Sequence, residues 1–170
     1  MDSSNIFIVG SMGSGKSSIG KILAKKVNRK FIDTDNEIIN IMGCNITEIF
    51  QKYGEEYFRE LETKELNKCQ PEVNLVISTG GGIILKRENI NIMKESGHII
   101  FLDIDVDTQL KRLKNKKNRP LLSNKDLKKE LASLKTERDK VYKEIADVII
   151  KVSNKDKISI VKDIQSILYE

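Results

Sequence analysis

Gly10-Ser-Met-Gly-Ser-Gly-Lys-Ser17 is the densest chemical signal in the chain. It fits the pattern G-x-x-x-x-G-K-[ST] without a gap. The apolar run Ile6–Val9 precedes it, and Ile19, Ile22, Leu23 and Val27 follow at helical spacing. These residue types suit a polyphosphate. Glycines let the backbone turn so that successive N–H groups aim at phosphate oxygens, and a helix N-terminus adds favourable partial charge. Gly13, Ser14, Gly15, Lys16, Ser17 and Ser18 are therefore the expected nucleotide-binding set. Lys16 is expected to reach the β- and γ-phosphates, and the Ser17 hydroxyl to bind Mg2+. The ligand implied is a nucleoside triphosphate, ATP before others. No N-K-x-D tetrad for reading guanine follows the later strands, since Asn154-Lys-Asp156 lacks the spacer. A chain of 170 residues is also short for an ATPase motor, which favours a small-molecule kinase.

A second group of residues could serve an acceptor. Asp33-Thr-Asp35 follows the apolar pair Phe31–Ile32, and ligands of open α/β sheets bind off the carboxyl ends of strands. Two residues apart on an extended chain, both carboxylates can point to one side. One then suits Mg2+ through water and the other a substrate hydroxyl; the competing reading is a helix cap. Phe58-Arg59-Glu60-Leu61-Glu62 has helical character, which puts Arg59 and Glu62 on one face. Gly80-Gly-Gly82 directly follows the run Leu75–Ile77, at a place where backbone must approach a ligand closely. Arg119-Pro-Leu-Leu122, and Arg138 with Tyr142, complete the set.

In this order and spacing, from about Ile6 to Ile150, these motifs closely resemble the shikimate kinase family. The P-loop is shared by many nucleotide-binding proteins; the combination of DTD, FRELE, GGG and RPLL is far more specific. The resemblance implies a nucleoside-monophosphate-kinase-type α/β fold: three layers, a five-stranded parallel sheet of order 2-3-1-4-5, and a mobile lid. It implies the reaction of ATP with shikimate to give ADP and shikimate 3-phosphate, in the pathway to chorismate and the aromatic amino acids. By the same resemblance, Asp33 would help position Mg2+, and Asp35 would bind the acceptor hydroxyls and serve as general base. Arg59 and Arg138 would hold the shikimate carboxylate, with Glu62 keeping the local network. Gly81 and Gly82 would give backbone contacts, Arg119 would reach the transferring phosphates from the lid, and Arg112 would lie against the adenine. One departure stands out: the family usually has Arg-x-Pro-Leu-Tyr where this chain has Arg138-Asp-Lys-Val-Tyr142, without the proline.

The elements that must position these groups follow from the apolar pattern. Ile6–Val9, Phe31–Ile32, Leu75–Ile77, Ile99–Leu102 and Val148–Val152 read as strands. Leu127, Leu131, Leu134, Arg138 and Val141 form a helical stripe interrupted by one charge, and Ile160, Val161, Ile164, Ile167 and Leu168 make the last helix amphipathic. Strands alternating with helices imply βαβ units around a buried, mostly parallel sheet. The expectation is one domain over residues 1–170, with a substrate-binding segment at about 33–62 and the lid at about 112–125. His98, the only histidine, is expected just ahead of a strand, and Cys44 and Cys69 as packed or surface thiols without metal-ligand spacing.

Composition narrows the partners. The formal net charge is +5, but residues 111–140 alone carry twelve basic and four acidic groups, so the excess is local to the stretch holding Arg112, Arg119 and Arg138. With 5% aromatics and no Trp, the chain lacks the stacking platforms of a single-strand binder. Only six of its thirty cationic residues are Arg, and four of those six fall on motif positions, where a planar fork matters. No apolar run is long enough to span a membrane. A cytoplasmic monomer that binds ATP and shikimate, and no nucleic acid or membrane, is expected. The alternatives are another small-metabolite kinase of the same fold (gluconate-type) or a nucleotide-binding regulatory module.

Overall fold

The computed structural model describes residues 3–114 and 127–169. Five strands, β1 (Asn5–Val9), β2 (Lys30–Asp33), β3 (Leu75–Ser78), β4 (Gly97–Asp103) and β5 (Val148–Lys151), form one sheet of order β2-β3-β1-β4-β5. Every neighbouring pair is parallel. Around it run α1 (Lys16–Lys26), α2 (Thr34–Met42), α3 (Ile46–Cys69), α4 (Arg87–Ser96), α5 (Val106–Lys114), α6 (Leu127–Ile145) and α7 (Lys157–Tyr169). The expected strand order and layering are both found.

The sheet is buried on both faces, and strand alternation distributes its residues between two cores. Ile6, Ile8, Ile100 and Leu102 meet Ile19 and Leu23 of α1 and Ile160, Val161 and Ile164 of α7. Phe7, Val9, Ile99 and Phe101 meet Leu66 of α3, Ile92 and Met93 of α4, and Tyr142 and Ile145 of α6. A third, smaller cluster of Ile38, Ile49 and Phe58 ties α2 to α3. Asn45 caps α3 in a reciprocal capping box with Glu48. Gly54, at φ 84°, breaks α3 into two helical pieces, and the second carries Arg59 and Glu62.

Three local expectations are revised. His98 lies within β4, paired with Ile6, because the strand extends back to Gly97. The buried stripe of α6 passes through Leu131, Tyr142 and Ile145, with Val141 only half-buried, since Tyr142 is the residue that stacks on the sheet. Ile167 of α7 is exposed; Leu168 packs against the core in its place. Among the described residues no helix is long and apolar enough to cross a membrane.

Asn5 is a polar residue that this fold requires. It is fully buried at the start of β1, its amide donates to the carbonyls of Cys69 and Glu72, and its Oδ1 accepts from the Leu75 N–H. One side chain thus satisfies three backbone groups of the α3–β3 connection. Asn5→Ala should remove these bonds from the Glu72 carbonyl and the Leu75 N–H, the Cys69 carbonyl still accepting from the Glu72 N–H, and cost about 2–4 kcal/mol of stability. Urea unfolding of the two proteins measures the difference.

Candidate active site

The functional side chains gather at the carboxyl ends of β1, β3 and β4. After β1 the chain enters the loop 10–15, where Gly10, Gly13 and Gly15 have φ of 144°, 82° and 97°. Gly10 also has no room for a side chain: a Cβ there would sit 2.8 Å from the Leu102 carbonyl oxygen. Lys16 opens α1 and turns back, donating to the carbonyls of Gly10 (2.7 Å) and Ser11 (3.1 Å). Its ammonium is therefore held over the loop that would cradle phosphate. Ser17, in the first turn of α1, is exposed, Ser18 is half-buried, and Ser14 is buried with no hydrogen bond to its Oγ among the described residues. The expected nucleotide set is brought together here.

Helix α5 braces this loop from outside. Gln109, buried, donates to the Met12 carbonyl at 2.7 Å. Arg112 donates to the carbonyls of Gly13 (3.1 Å) and Ser14 (3.4 Å), and from its other nitrogen to that of Val152 (3.3 Å). Arg112 thus links the phosphate loop to the end of β5. The role of Gln109 is not visible in the sequence, because a buried glutamine carries no motif. Its one clue is the i, i+3 spacing that puts it on the face of α5 with Arg112.

On the acceptor side, Asp33 and Asp35 are not on one extended strand. Helix α2 begins at Thr34, and Asp33 is its N-cap, accepting from the Asn36 N–H at 3.2 Å. The cap ends the extended chain at Asp33, so Asp35 lies in the first helical turn. Its Oδ1 is nevertheless buried and directed at Gly80.

The three glycines after β3 meet these groups one by one. A Cβ on Gly80 would lie 2.4 Å from Glu62 Oε1 and 2.7 Å from Asp35 Oδ1. One on Gly82 would lie 2.1 Å from Arg59 Nη1. Gly81 faces the phosphate loop, 3.6 Å from the Gly10 carbonyl by the same measure, and its own carbonyl accepts from Arg138 Nη1 (3.3 Å) and from the Tyr142 hydroxyl. None of the three has a positive φ; Gly80 and Gly82 supply space, while a Cβ on Gly81 would make only ordinary contacts. Helix α6 runs unbroken through Lys140, so the missing proline leaves Arg138 on a regular helix. Nε of Arg138 is buried and has no partner among the described residues. Arg119 and residues 115–125 of the expected lid lie outside the described residues.

Arg59 is held by two carboxylates. Arg59 donates to Glu62 Oε2 at 2.6 Å and to Glu55 Oε1 at 2.9 Å, and it lies against the rings of Phe50 and Phe58. Burial works against its charge, but Glu62 and Glu55 outweigh burial and hold it cationic. Burial pushes the Glu62 carboxyl up to about 7, opposed by Arg59 and assisted by the nearby charge of Asp35. Among the described residues no group of three metal-binding side chains exists. One hydroxyl, Ser17, and one carboxylate, Asp33, suit an ion like Mg2+ that keeps several waters and relies on substrate phosphates for the rest. That donor set fits a metal arriving with its nucleotide.

Glu62 gives a pH signature. Its folded pKa lies above its ordinary value of 4.5. The folded state therefore binds the proton more tightly than the unfolded chain, and stability falls as pH rises from that value towards 7. Asp105 and Asp156, held below the usual carboxylate range by hydrogen bonds from Ser153 and Ser159, titrate below this window. Glu62→Gln should flatten the decline of Tm between pH 5 and pH 7.5. Parallel curves for the two proteins would contradict the assignment.

Comparison with known proteins agrees with this geometry. The sequence model of one family, described as shikimate kinase, matches residues 12–169. A shikimate kinase of Sulfurihydrogenibium sp. (strain YO3AOP1) is 44% identical over 160 residues, covering 94% of this chain and 95% of that protein. One from Persephonella marina is 43% identical over 160 residues, covering 94% and 96%. The structure of shikimate kinase from Acinetobacter baumannii in complex with shikimate superposes with a TM-score of 0.91 at 38% identity, covering 97% of this chain and 93% of that one.

Proposed function

The chain belongs to the shikimate kinase family, and on that premise we propose that it transfers the γ-phosphoryl group of ATP to the 3-hydroxyl of shikimate. The observation that carries this reading is the convergence of two guanidiniums, Arg59 at Gly82 and Arg138 at Gly81, on a glycine run that also abuts the phosphate loop. Such a pair suits a carboxylate, and its place beside the loop suits an acceptor that must meet a γ-phosphate.

Phosphoryl transfer depends mainly on alignment and charge neutralisation. The loop amides and Lys16 hold the β- and γ-phosphates; Lys16 gives up its two backbone carbonyls in favour of phosphate oxygens. Ser17 and Asp33 would hold Mg2+, which when bound with the nucleotide neutralises charge on those oxygens. Arg59 and Arg138 clamp the shikimate carboxylate, and the backbone of Gly81 and Gly82 lies against the ring. Asp35 takes the proton of the acceptor hydroxyl as the new P–O bond forms and ADP leaves. Arg119 is assigned to the transferring phosphates and Arg112 to the adenine side, on the family likeness. On the same reading we propose a cytoplasmic monomer with no nucleic-acid partner.

Asp35→Asn should bind ATP normally and lose at least about a hundredfold in turnover. ADP release by the unsubstituted enzyme should rise sharply with shikimate and not with gluconate or nucleoside monophosphates. No stimulation by shikimate would sink the reading; near-normal turnover in Asp35→Asn would remove Asp35 as the base.

A further inference from the structure

Arg138 is reached through α6, and α6 touches β4 at two points. Phe101 and Asp103 are two residues apart in β4, so they project from the same face of the sheet, about 7 Å apart. Tyr142 stacks on Phe101, with ring centres 4.9 Å apart and planes 19° apart. Seven residues earlier, Lys135 donates to Asp103 Oδ1 at 2.7 Å and also to Asp139 Oδ2. Lys135, Arg138, Asp139 and Tyr142 fall at i, i+3, i+4 and i+7, one stripe of the helix. Arg138 therefore sits between an aromatic contact on one side and an ion-pair contact on the other.

We propose that Lys135 is a positioning residue for acceptor binding: bridging Asp103 and Asp139, it fixes the register of α6 on β4 and so places Arg138 over Gly81. The inference rests on the reading of Arg138 as a carboxylate clamp. Tyr142 and Ile145 seat the C-terminal end of α6 against the sheet, and a helix held at one end can still pivot. The second point, about 10 Å away along the helix, removes that freedom. The bridge is not an ordinary surface pair. Lys135, Asp103 and Asp139 have side-chain exposures of 22%, 18% and 10%, and the ammonium serves two carboxylates. Burial alone would lower the Lys135 pKa, but Asp103 and Asp139 together raise it, so the charge is retained.

The test separates position from charge. Lys135→Met should raise KM for shikimate about tenfold, with kcat within about threefold and KM for ATP within about twofold. The phosphate loop is braced from α5 through Gln109 and Arg112. Lys135→Arg, which keeps a cation able to reach both carboxylates, should restore KM for shikimate. The double variant Asp103→Asn with Lys135→Met has the net charge of the starting protein but no bridge, and its KM should stay as high as that of Lys135→Met. A return to the original KM in the double variant would show that only charge matters and overturn the proposal. An unchanged KM for shikimate in Lys135→Met would overturn it as well. Absence of shikimate-dependent ADP release from the unsubstituted enzyme would overturn the acceptor assignment, and the clamp with it.

Discussion

Three consecutive residues without side chains, Gly80, Gly81 and Gly82, are the constraint on which the site depends. Most glycines in loops are explained by backbone angles, but these three have no positive φ. Gly80 and Gly82 are required by what surrounds them, Asp35 and Glu62 at the first and Arg59 at the second, and Gly81 between them faces the phosphate loop and Arg138. Two carboxylates, two guanidiniums and a phosphate cradle thus reach one short stretch of backbone. A Cβ on Gly80 or Gly82 would push one of these groups away, while one on Gly81 would make only ordinary contacts. The glycines sit where they do because β3 lies between β2 and β1, so its carboxyl end is adjacent both to the start of α2 and to the phosphate loop.

The two halves of the site are supported separately. The phosphate loop is tied from outside by Gln109 and Arg112 on α5. The acceptor half is carried by the second piece of α3 and by α6, which come from opposite ends of the chain and share the core lined by Phe7, Phe101 and Leu66. Between them the charges are nearly balanced locally. Arg59 is shared by Glu55 and Glu62, and the buried Oε1 of Glu62 and Nε of Arg138 remain without hydrogen bonds among the described residues. Buried polar atoms in that condition raise the free energy of the empty site. A carboxylate ligand offsets the part that belongs to Arg138.

Much of this could be read from the residues. The phosphate loop declares itself because its chemistry lies within eight consecutive residues, and strand alternation exposed the buried sheet. Helical spacing put Arg59 and Glu62 on one face, and the family likeness gave them their roles. What was not legible depends on distance along the chain. Both readings of Asp33, helix cap or partner of Asp35 on an extended strand, were open in the sequence, and where β2 hands over to α2 decides for the cap. Gln109 and the Asp103–Lys135 contact need β4, α5 and α6 folded together, and no local pattern announces a partner 32 residues away. The same holds for the net charge of +5. Its basic segment contributes Arg112 to the phosphate loop, Arg138 to the acceptor side and Lys135 to a bridge, so part of what looked like a polyanion-binding surface is committed internally.

The most direct test of the glycine run is shikimate binding to Gly82→Ala, followed by calorimetry beside ATP binding and Tm. The added methyl would lie 2.1 Å from Arg59 Nη1, the movable end of a long side chain. The fold should survive with Tm nearly unchanged, and ATP should bind as before. Affinity for shikimate should fall by at least about tenfold, roughly the loss of one charge-assisted hydrogen bond. Unchanged shikimate affinity in a folded Gly82→Ala would contradict the account, because the glycine run would not then be what brings Arg59 to the acceptor.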